Sequence, residues 1–201
     1  RDSLTYHAAL PRIFARQEGY AVTDEIIFQY FPLSWQSGLS LFHAMGEQGF
    51  PPFILRTWTV VITAACALAS MGFVQKSGGN KKAQMLAGWI FLWVPTVMEF
   101  GCSLYTMSWL TLLTTMAVVF RTDSGKYSLL LAAVTAGWAA STKYNGLIVI
   151  LLLCLTLVGN RKHLCLFMFV AMLVGAPFYI RNLLLKGNPI FPLAYETFGG
   201  E

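Results

Sequence analysis

The chain has 201 residues, 56% of them hydrophobic and only 11% charged, with a formal net charge of +5. A soluble domain carries roughly 25% charged residues, so this composition argues against a chain that covers itself in water and predicts an integral membrane protein; mean hydropathy is +0.60. Length then counts spans rather than domains.

No methionine precedes Arg1, so the chain reads as a fragment of a longer protein, and a signal peptide cannot be judged. Residues 2 to 17 predict an amphipathic helix. Tyr6, Ala9, Leu10, Ile13 and Phe14 share one face at helical spacing, and Arg12, Arg16 and Gln17 fall elsewhere. The run is too short and too polar to span, so it is expected in the interface plane, bent at Pro11. Residues 20 to 30 read as a loop. Residues 32 to 46 predict a second interfacial segment, with Trp35 at the headgroup level.

A span needs about 20 apolar residues, with about 17 as a lower limit. The apolar runs predict Pro52 to Val74, Ala83 to Phe100, Gly101 to Phe120, Tyr127 to Thr142, Asn145 to Gly159 and Leu164 to Ile180, the last kinked at Pro177. The expected fold is all-α: a polytopic transmembrane helical bundle with short interfacial helices. Residues 1–50 form its first outer loop, 51–181 its bundle of about six spans, and 182–201 the start of the next outer loop. Cys66, Cys102, Cys154 and Cys165 lie in apolar runs with no CxxC spacing and read as small apolar residues.

Alternate loops face alternate sides. Lys76, Lys81, Lys82, Arg121, Lys126, Arg161 and Lys162 fall in one set of three short loops. The positive-inside rule makes that set cytoplasmic. The rest is then outside, which brings Asp2, Glu99, Lys143 and Arg181 to one membrane face.

Ionisable groups at span ends cost a few kcal/mol at the bilayer centre and persist where they are paired or used. Lys143 and Arg181 could hold a phosphate, Arg by a bidentate fork and Lys as a point charge. An acid could bind a divalent cation or take a proton from a hydroxyl. Structural readings stand beside these. The two cations could snorkel to headgroups, Glu99 could pair with one of them, and Asp2 could cap the first helix. His7 and His43 read as polar surface residues.

Four stretches, in this order, resemble bacterial polytopic glycosyltransferases of the GT-C class. The closest likeness is to the family-39 type, related to dolichyl-phosphate-mannose protein mannosyltransferases and lipid A aminoarabinose transferases. They are Asp2-Ser3-Leu4-Thr5-Tyr6-His7, Phe31-Pro32-Leu33-Ser34-Trp35-Gln36, Ser141-Thr142-Lys143-Tyr144-Asn145-Gly146, and Tyr179-Ile180-Arg181-Asn182 with Gly187-Asn188-Pro189. The resemblance implies a sugar donor on a polyprenyl phosphate and transfer to an acceptor, whose identity it leaves unknown, on the outer face of a bacterial plasma membrane. It implies Asp2 as general base, Lys143 and Arg181 as ligands of the donor phosphate, and Tyr6, His7, Glu99 and Asn182 as supporting residues. Related sequences often carry acids where Gln36 and Met107 stand, which leaves Glu99 as the candidate ligand should a divalent cation be used. The lipid bilayer is the expected surroundings, and no nucleic-acid partner is expected. Two other classes remain open: a transporter or flippase of a lipid-linked substrate, or a diverged non-catalytic membrane scaffold.

Overall fold

The computed structural model describes residues 7, 9–17, 27–44, 52–101, 103 and 106–199. Among them every regular element is helical and no strand occurs. Helix α1 (Ala9–Arg16) buries Leu10 and Phe14 with Leu33, against Phe178. Pro11 is the third residue of this helix and is buried with them. The stretch expected as a loop ends in a 3₁₀ turn (Ile27–Tyr30), and α2 (Ser34–Ala44) follows.

Then come α3 (Pro52–Lys76), α4 (Lys81–Trp93), α5 (Pro95–Phe100), α6 (Met107–Thr122), α7 (Ser128–Thr142), α8 (Asn145–Leu155), α9 (Arg161–Lys186) and α10 (Tyr195–Phe198). Side-chain caps start two of them. Asn80 Oδ1 accepts from the Ala83 N–H at 2.9 Å, and Asn160 Oδ1 from the His163 N–H at 3.2 Å. Gly187, at φ 66, ends α9.

Two described helices are long and apolar enough to cross a membrane, over Arg56–Lys76 and Arg161–Lys186. Of the about six spans expected, the fourth and fifth short, these two alone reach that length among the described residues. The stretch Ala83 to Phe100 is broken, because Val94 (φ −63, ψ 122) takes the extended backbone favoured before proline and Pro95 opens a new helix. The last helix outruns its expected end at Ile180 and continues to Lys186, with Pro177 inside it. At about 1.5 Å per residue, the 16 residues of α6 reach about 24 Å, less than the roughly 30 Å of a bilayer core.

At one end the shortfall is filled by α2. Its Trp35 and Leu39 are buried with Ile62 and Cys66 from the middle of α3, against Phe91, Trp109 and Leu112. Trp35 is therefore a core residue, not the headgroup-level residue expected. Its ring lies 6.0 Å from Trp109, which stands edge-on to Trp138 at 5.2 Å.

The core centres on α7, which packs against α6, α8 and α9. Its inward face is small: Ala132, Ala133, Ala136 and Gly137 are buried. A Cβ on Gly137 would fall 2.4 Å from the Ala171 carbonyl oxygen, so bare backbone brings α7 and α9 together. Phe167, Leu153 and Leu157 fill the rest of this core, while many other large apolar side chains point outward. On α9, Ala171 is 0% exposed while Phe169 is 68%. Trp89 and Trp93 on α4, and Leu151 and Leu155 on α8, are likewise exposed. So many exposed large apolar side chains depart from a water-soluble bundle, which covers them.

The basic loops gather at one end. Lys76 pairs with Asp123, which also accepts from Ser128 Oγ at 3.1 Å. Arg121 donates from Nε to Thr156 Oγ1 and from Nη2 to the Thr156 carbonyl, both at 2.9 Å.

Candidate functional site

The opposite end is organised by the break between α7 and α8. Lys143 leaves helical geometry (φ −159, ψ 150) while its N–H still closes α7 on the Ala139 carbonyl. α8 can restart at once because Gly146 lies against the backbone of Ala139, where a Cβ would meet the carbonyl carbon at 2.2 Å.

Lys143 is half-buried, and its Nζ lies 3.9 Å from Met107 Sδ at the start of α6. Burial holds its pKa below the ordinary lysine value. Among the described residues no carboxylate comes within ion-pairing distance of it. The residue before it, Thr142, is tied across the chain. Thr142 Oγ1 and Ser34 Oγ lie 2.6 Å apart, which sets the N-terminus of α2 beside the break.

Arg181 and Asn182 grip the other side of the same segment. Arg181 Nη1 donates to the Gln29 carbonyl at 2.8 Å. Asn182 is buried and its Nδ2 donates to the Tyr30 carbonyl and, at 3.4 Å, to Tyr144 Oη. Its Oδ1 has no hydrogen-bond partner among the described residues. The structure thus brings Lys143 and Arg181 to one end, Arg181 on Gln29 and the residue before Lys143 on Ser34. It gives Arg181 a structural contact that the sequence did not announce.

His7 is buried, not at the surface, and its Nδ1 lies 2.8 Å from Gln36 Nε2 in the first turn of α2. Gln36 Oε1 is buried without a partner among the described residues. His43 is buried as well. Desolvation first, and then the neighbouring Arg12 charge, hold it below the ordinary histidine value. Glu99 is exposed on α5 and joins no ion pair among the described residues, so the expected pairing with Lys143 or Arg181 is not found there. Asp2 and Tyr6 lie outside the described residues.

No group of three or more His, Cys, Asp or Glu comes together among the described residues, and Glu99 stands apart.

An apolar groove of about 360 Å³ runs beside this end between α8 and α9. Leu147, Ile150, Met172 and Gly175 line its length, and Pro189 and Ile190 form its rim. Tyr179 closes it from within, donating through Oη to the Ala140 carbonyl at 2.8 Å.

Sequence reasoning passed over Tyr144. Its Oη donates to the Phe191 carbonyl at 2.6 Å and lies 3.2 Å from that of Tyr30. Burial pushes its phenol up to about 12, so it stays protonated. The one available signal was its place beside Lys143 in a polar interruption between two apolar runs. Comparison of the chain with protein families, with curated proteins and with solved structures finds no match.

Proposed function

We propose that the chain is part of a polytopic membrane glycosyltransferase of the GT-C type, which moves a sugar from a polyprenyl-phosphate donor to an acceptor on the outer face of a bacterial plasma membrane. The observation that carries this reading is Lys143. A half-buried ammonium with no carboxylate beside it among the described residues is an expensive feature unless an anion comes to it. It stands at the end opposite the basic loops, which the positive-inside rule makes the outer end. The apolar groove between α8 and α9 offers an isoprenoid chain a bed at the same end.

In this mechanism the Asp2 carboxylate takes the proton of the acceptor hydroxyl. The acceptor oxygen bonds to the anomeric carbon as the bond from that carbon to the phosphate oxygen breaks. The electron pair leaves with the phosphate, whose charge Lys143 neutralises as a point charge. Arg181 adds positive potential at the same end while holding Gln29. No step is assigned to a divalent cation.

The test is transfer of radiolabelled sugar from a polyprenyl-phosphate donor by the full-length protein in vesicles. Asp2→Asn should abolish transfer and leave membrane insertion intact; unchanged transfer removes Asp2 as base. The break between α4 and α5 favours one other reading, a carrier of lipid-linked substrates. Vesicles that move the intact lipid phosphate across the bilayer without sugar transfer would select it.

A further inference from the structure

Lys143 stands at a chain break, so its ammonium is only as well placed as the residues that anchor the break. Helix α7 fixes the preceding side: the Lys143 N–H reaches the Ala139 carbonyl at 3.1 Å and Thr142 is tied to Ser34. Tyr144 fixes the following side. Its single hydroxyl gathers three segments, accepting from Asn182 of α9, donating to Phe191, and lying within reach of the Tyr30 carbonyl. The ring is clamped as well, 5.5 Å from Phe31 and 5.9 Å from Tyr179. Two of these neighbours lead directly to the apolar groove. Tyr179 lines it, and Phe191 follows Ile190 on its rim. Lys186 strengthens the same junction, its Nζ lying 5.5 Å from the Tyr30 ring centre and 5.8 Å from that of Phe191.

We propose that Tyr144 is a positioning residue that ties the rim of the apolar groove to the Lys143 ammonium, so that the chain and the phosphate of one lipid phosphate are read together. The inference rests on the glycosyltransferase reading for its ligand, but its geometry is independent of the reaction. Removing the hydroxyl frees the rim and the break from each other without touching either the cation or the groove lining.

The variant is Tyr144→Phe in the full-length protein, with two readouts. The first is reductive methylation of Lys143, followed by mass spectrometry with no ligand present. Loss of the tie should change the labelling rate at Lys143 several-fold and leave Lys126, at the other end, unchanged. The second is transfer kinetics with a long-chain polyprenyl-phosphate donor. KM should rise about tenfold, as for the loss of a well-placed hydrogen bond, with kcat retained. Unchanged labelling overturns the proposal whatever the protein catalyses. Altered labelling in a protein that neither transfers sugar nor binds a long-chain polyprenyl phosphate upholds the tie and removes the enzyme reading. A fall in kcat at constant KM also overturns it. Should Tyr144→Phe not fold, 3-fluorotyrosine placed at position 144 supplies the measurement. Its 19F resonance should shift when the lipid phosphate binds, and an unmoved resonance with ligand bound overturns the tie.

Discussion

Lys143 and Met107 lie 3.9 Å apart where a lysine and an acid would make an ordinary ion pair. A thioether accepts weakly, so among the described residues the ammonium is poorly compensated, and burial lowers its pKa. The sign of that shift matters for stability. A lysine whose folded pKa lies below its unfolded value makes the fold less stable while it is charged, a cost present in full below the folded pKa and relieved as pH rises towards the unfolded value. Lys143→Met should therefore raise the melting temperature while weakening binding of a lipid phosphate about a hundredfold; thermal unfolding and equilibrium binding measured on one preparation check both. A melting temperature that falls would mean the ammonium has a strong anionic partner in the resting protein. Asp123 behaves oppositely. The Lys76 ammonium, and then the Ser128 hydroxyl, hold its carboxyl below the ordinary range. Its contribution is present above the unfolded pKa near 4 and is lost as pH falls through the lower folded value. Asp123→Asn should flatten the acid limb of the pH–stability curve, leaving a small decrement at pH 7. Lys143 was legible in the sequence because a charge between two apolar runs is conspicuous. The contact that ties Thr142 to Ser34 across 108 positions was not, since no local pattern encodes which hydroxyl a hydroxyl meets.

Among the elements, the apolar runs marked the helices, but the starts that Asn80 and Asn160 cap lie two or three residues ahead of the expected Ala83 and Leu164. The depth of α2 was hidden. Its sequence is mildly apolar all round, which suits an interface as well as a core. What decides is the length of its neighbours, because α6 and α7 stop short and α2 fills the space against Ile62 and Cys66. The packing of α7 on α9 yields a sharper test. Gly137→Ala places a methyl against the backbone of Ala171 and should cost about 1–3 kcal/mol. Gly72→Ala, in the interior of α3 with open space around it, should gain up to about 1 kcal/mol from helix propensity. Opposite shifts in thermal unfolding in detergent are the expected pair of results. Equal shifts would mean that α7 and α9 do not meet through Gly137.

For the whole molecule the question is what solvent its outer face is built for. Ala171 is sealed inside α9 while Phe169, two residues away, is 68% exposed. Burying Phe169 and exposing Ala171 would be the favoured arrangement in water, since a phenylalanine buries far more apolar area. In hydrocarbon that preference vanishes, and close backbone approach through small residues becomes the stabilising feature. The two ends then divide by charge. Lys76, Arg121 and Asp123 meet at one, and Lys143, Arg181 and the Tyr144 junction at the other. If a bilayer lies between them, single cysteines at the two ends must be reachable from opposite sides. Lys126→Cys and Glu196→Cys, in a full-length chain whose other cysteines are replaced by alanine, should react with a membrane-impermeant maleimide from opposite faces of intact cells. Glu196→Cys should label in whole cells, and Lys126→Cys only after the membrane is opened. Labelling of both from one side would return the exposed apolar side chains to a different cause, a protein partner that covers the apolar face. It would also remove the sidedness on which Lys143 is placed at an outer site.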